Sequence, residues 1–63
     1  MLVEFEPVGR QGKIWINPDQ VIMVESTGKS ETTISLTRGE QPVKGTIQEV
    51  VGKLTTKKHS TLH

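Results

Sequence analysis

The sequence predicts an α+β fold, a small antiparallel β-sheet of about four strands with one C-terminal helix. Three observations carry this. Apolar and polar residues alternate in "LVEFE", "KIWI" and "TTISLT", the period-two pattern of half-buried strands. Turn formers punctuate the intervals at "GRQG", "NPDQ", "STGKSE" and "RGEQP", where glycine and proline supply the backbone angles a reversal needs. Only in "TIQEVVGKL" does the apolar spacing lengthen to that of a helix.

Taken in order, Val3 and Phe5 share one face of the first strand, and Leu2, Glu4 and Glu6 share the other. Pro7 weakens its continuation. "GRQG", with a glycine at each end, is the expected hairpin loop into "KIWI", where Ile14 and Ile16 point one way and Trp15 the other, with Lys13 and Asn17. In "NPDQ", Asn17 accepts a local backbone hydrogen bond and Pro18 fixes its own φ for a turn, so the chain should change direction there. "VIMVE" is apolar on both faces. It reads as a central strand covered on both sides, or as one whose outer face meets another subunit.

"STGKSE" is a second hairpin loop centred on Gly28, and "TTISLT" returns with Ile34 and Leu36 inward. "RGEQP" is expected to be a further turn, leaving Val43 in a short final edge strand. Thr46 with Glu49 three residues on forms a capping box. Ile47, Val50, Val51 and Leu54 follow at i, i+3, i+4 and i+7, one helical stripe. Gly52 and the Val50-Val51 pair lower helix propensity, so this helix depends on docking against the sheet. The expected organisation is one sheet-plus-helix domain over residues 1–54 and a flexible basic tail over 55–63.

Composition limits what such a domain can do. A chain of 63 residues without cysteine, with one Phe, one Trp and no Tyr, has few large side chains for a core and no disulfide or thiolate metal site to reinforce it. Oligomerisation is the remaining reinforcement. The net charge of +1 conceals an asymmetry: residues 1–52 carry −2, and Lys53, Lys57 and Lys58 add +3. A slightly acidic body attracts phosphate weakly. No apolar run is long enough to span a bilayer and the N-terminus is too short and acidic for a signal peptide, so no membrane insertion is expected and a cytoplasmic location is the default.

Catalytic equipment is not visible, and no cofactor is expected. His59 and His63 have helical i, i+4 spacing but no third ligand in sequence, which argues against a metal site. Glu4 and Glu6 read as a solvated row, and "TGKS" lacks the upstream glycine of a phosphate loop and is not followed by a helix. Trp15 is the residue that asks for a partner. With the doubly apolar "VIMV" run it predicts an outer-face interface of Trp15 with Ile22 and Val24, or with Val21 and Met23. The partner is a second copy or another protein. The alternative partner is nucleic acid, held by Arg10, Lys13, Lys29, Arg38, Lys57 and Lys58.

The stretches "INPDQVIMVES", "ISLTRG" and "VKGTIQEVVGKL" together resemble the small bacterial flagellar protein family called FlbD or SwrD. The matching positions are Asn17, Pro18, Asp19, Ile34, Leu36, Thr37, Gly39, Glu49 and Val50, within residues 13–54. The resemblance implies an accessory role in motility without enzymatic activity. Two departures stand out: "STGKSE" is longer than the family's loop, and Gly45 occupies a place where a charged residue is expected. Residues 14–54 also resemble part of the β-rich DNA-binding domain of LytTR regulators, in the Trp-bearing strand, the Asp19 corner and the strand ending in a Gly turn. The basic DNA-contacting loops of that domain have no counterpart here.

Overall fold

A computed structural model describes the backbone of residues 1–59 and the side chains through Thr55. The fold is α+β, with antiparallel sheets of two and three strands and one C-terminal helix. Strand β1 (Val3–Phe5) pairs with β2 (Ile14–Ile16) in the register Val3↔Ile16, Glu4↔Trp15 and Phe5↔Ile14. That register puts Val3, Phe5 and Ile16 into the core and leaves Glu4 and Trp15 together on the outer face. In the intervening loop Gly9 and Gly12 have φ of 87° and 96°, values that side chains with a Cβ rarely tolerate.

After β2 the chain turns where the Pro-Asp signal lies. Pro18–Gln20 forms one 3₁₀ turn, and the Asn17 side chain accepts the Asp19 N–H at 3.0 Å. Strands β3 (Val21–Gly28), β4 (Glu31–Leu36) and β5 (Gly39–Lys44) follow as a meander joined by the two-residue links Lys29-Ser30 and Thr37-Arg38. "VIMVE" is therefore in an edge strand and not a central one.

"RGEQP" departs from its expected role as a turn, because Gly39–Pro42 already belong to β5. Nor is β5 an edge strand. Val8 N–H donates to the Pro42 carbonyl at 3.0 Å, Lys44 N–H donates to the Glu6 carbonyl at 2.8 Å, and Pro7 bridges to Val43. The N–H and C=O of a strand residue point to the same side, so Pro42, whose carbonyl faces Val8, forfeits no bond to β4. The buried Pro7 is likewise flanked by the residues that make the bonds. These two prolines are tolerated because their missing donors fall where the ladder does not use them. The segment Glu6–Val8 thereby joins the two sheets, and the molecule has five strands against the expected four or so.

Gly45 turns the chain from β5 into the helix with φ of 124°. Its N–H donates to the Ser30 carbonyl at 2.7 Å, and its carbonyl accepts from the hydroxyl of the fully buried Thr32 at 2.9 Å. A positive φ accounts for glycine at this point. Helix α1 (Ile47–His59) opens on the predicted capping box: Thr46 N–H donates to Glu49 Oε1 at 2.8 Å, and Glu49 N–H donates to Thr46 Oγ1 at 3.2 Å.

Val50 and Leu54 complete a core of Val3, Phe5, Ile16, Ile34 and Val43. The apolar stripe docks off-centre, since Ile47 is half-buried and Val51 keeps 41% of its surface exposed. The pair at i and i+4 that faces the sheet is 50 and 54, and residue 51 lies about 100° further round. The helical backbone continues five residues beyond Leu54. Among the described residues no helix is long and apolar enough to cross a membrane.

Candidate interaction surface

The surface around Trp15 is built by strand alternation on one side of the Pro18–Gln20 turn and by a defect in alternation on the other. Ile14 and Ile16 face inward, which commits Trp15 to the outside, where it is 57% exposed. Beyond the turn, Val21 pairs with Leu36 and Met23 pairs with Ser35, so Ile22 has no partner and bulges from β3. A bulge lets two adjacent side chains escape the in-out rule. Ile22 and Met23 are 69% and 50% exposed, whereas Val21 and Val24 both pack against the core.

This revises the expected grouping of outer-face residues. Trp15 and Ile22 lie outside as predicted, Val24 turns inward, and Met23 takes its place. Neither predicted pair, Ile22 with Val24 or Val21 with Met23, survives the shift of register. The sequence carries no local signal for the bulge, since both glycines and prolines are absent from "VIMV".

Trp15 also forms one wall of a cleft of about 340 Å³ shared with Asn17, Gln20, Leu36, Thr37 and Arg38. Its polar rim is rich in donors. Asn17 Oδ1 accepts from the Asp19 N–H, and Gln20 Oε1 accepts from the Thr37 hydroxyl at 2.8 Å. Each amide oxygen already accepts one hydrogen bond, and the amide N–H groups and the Arg38 guanidinium are the rim's side-chain donors. Arg38 is the one charged side chain lining the cleft. The site favours an apolar group that carries a hydrogen-bond acceptor or a negative charge. Sequence reading singled out Trp15 and Arg38 separately; their meeting depends on the β4–β5 link folding back toward the turn.

The candidate cations do not form a common surface. Lys13 pairs with Glu4 at 3.0 Å, and its ammonium is held above the ordinary value of 10.5 by the hydrogen bond to Glu4 and then by the charges of Glu4 and Glu6. Arg10 donates to Gln41 Oε1 at 3.3 Å. Lys29 stands at the β3–β4 link and Arg38 at the β4–β5 link, so they lie at opposite ends of the six-residue β4. In a meander, successive links alternate ends, which keeps these two cations apart. The side chains of Lys57, Lys58 and His59, and all of His63, lie outside the described residues.

A second charged cleft, of about 320 Å³, includes Glu4, Glu6, Lys13, Lys44, Glu49 and Lys53. Its groups are largely committed to one another and to the fold. Glu4 holds Lys13, Glu49 caps α1, and Lys53 donates to the Glu4 carbonyl while lying 4.5 Å from the centre of the Phe5 ring. Among the described residues no group of three or more His, Cys, Asp or Glu is arranged to hold a metal ion. Compared with known proteins, the chain matches no family model, no curated protein and no solved structure.

Proposed function

We propose that this protein is a non-enzymatic interaction module that self-associates through the apolar surface around Trp15, Ile22 and Met23. The observation that carries the reading is the exposure of Trp15 at 57% and Ile22 at 69% beside a core cluster of seven buried apolar side chains among the described residues. Large apolar side chains left in water beside a small core are what a docking surface requires. The flagellar resemblance supplies the setting, an accessory role in motility. The scatter of Arg10, Lys13, Lys29 and Arg38 gives the nucleic-acid alternative little support, because non-specific binding draws on cations that neutralise neighbouring phosphates together.

Sedimentation equilibrium tests the association. The expected mass exceeds that of one chain and changes little between low and moderate salt, whereas binding to nucleic acid would weaken steeply over that range. Trp15→Ala is expected to lower the mass and leave the far-ultraviolet circular dichroism unchanged. A strictly monomeric wild-type protein at high concentration would remove the reading. For the setting, a bacterial strain lacking the gene should swim or swarm poorly; normal motility would separate the module from the flagellum.

A further inference from the structure

The donor-rimmed Trp15 cleft and the bulged β3 segment are complementary in chemistry, and they flank the same 3₁₀ turn. We infer that in the self-associated protein each copy seats the Ile22–Glu25 segment of its partner in its own cleft. Ile22 and Met23 then cover the indole, and the Glu25 carboxylate meets Arg38. This rests on the proposed self-association and names the contact that produces it.

Charge complementarity is the first argument. Arg38 is the one charged side chain of the cleft, and Glu25 is the one charged side chain between Val21 and Gly28. Neither has an ion-pair partner among the described residues. Both are exposed, so both are available. A carboxylate suits a rim that presents amide N–H groups and a guanidinium, and arginine receives a carboxylate through two parallel N–H bonds.

The second argument is placement. The cleft includes Leu36, Leu36 pairs with Val21, and Ile22 is the next residue along β3. Cleft and segment are therefore neighbours on one molecule. A two-fold axis between them brings the segment of each copy to the cleft of the other, which makes the contact self-complementary and closed at two subunits. The third argument is what the edge of β3 withholds. Register shifts between Val21 and Met23 and between Ser26 and Gly28 interrupt its ladder. Bulged edges resist the addition of another strand. The segment offers side chains, and the cleft is shaped to receive side chains.

A charge-exchange experiment on the full chain tests this. Arg38→Glu and Glu25→Arg are each expected to weaken association about tenfold, and the double variant to recover to within a few-fold of wild type, because close opposite charges across an interface are coupled. Circular dichroism of all three variants should match wild type, as both side chains are exposed. Recovery in the double variant would support the contact. Weakening that accumulates without recovery, or unchanged association in both single variants, would overturn it. If Trp15→Ala still lowers the mass in that case, self-association stands and only the assigned contact falls. A wild-type protein that never associates removes both. Arg38→Glu that abolishes binding of single-stranded nucleic acid, with the mass unchanged, would give the cleft to a different occupant and also overturn the inference.

Discussion

Thr32 shows how much a single polar side chain can organise in a core this small. Its side chain is fully buried, and its hydroxyl donates to the Gly45 carbonyl at the point where β5 gives way to α1. Valine has nearly the same shape but cannot donate. Thr32→Val would leave that carbonyl without its partner, and the expected cost is about 1–3 kcal/mol. Chemical denaturation should show a lower midpoint with an unchanged slope; an unchanged midpoint would mean that water replaces the hydroxyl. Trp15 makes the opposite point. Its outward direction was legible from Ile14 and Ile16 on either side, because alternation in a three-residue strand leaves no freedom. Its neighbours Gln20 and Arg38 were not legible, since they arrive from other elements.

Among the elements, those set by short-range pattern followed the sequence most closely. The Pro18–Gln20 turn and the helix start depend on residues within a few positions of one another, and the β1–β2 pair joins strands that are consecutive in the chain. The capping box is the clearest case, and Thr46→Ala should cost about 1 kcal/mol. Loss of helical ellipticity near 222 nm at a lower temperature than wild type would be the measurement; an equal melting curve would show that docking of Val50 and Leu54 alone fixes the helix start. What stayed illegible was long-range. The strand character of Gly39–Pro42 depends on pairing with β4 and on Glu6–Val8 arriving at its other side. The bulge at Ile22 likewise reflects how β3 must fit β4. One displaced residue exchanged Val24 for Met23 on the exposed surface, a reversal that strictly alternating reasoning cannot anticipate.

For the molecule as a whole, the balance lies between the small apolar core and the apolar side chains left outside at Trp15, Ile22 and Met23. Association that buries the latter should stabilise the folded chain by mass action. The melting temperature is therefore expected to rise with protein concentration, and differential scanning calorimetry over a hundredfold dilution series would measure it. A melting temperature independent of concentration would contradict association through the folded state. Trp15→Ala should flatten the same dependence.

The join between the two sheets also has a consequence for how the molecule is made. Pro7 and Val43 are far apart in the chain, yet their bridge and the bonds on either side of it tie the first strand to the fifth. The ribosome releases the first strand before the fifth. The opening segment must wait, unpaired on that side, until the fifth strand has also emerged. During that interval the open side of the newborn chain is a place where a neighbouring chain could pair instead.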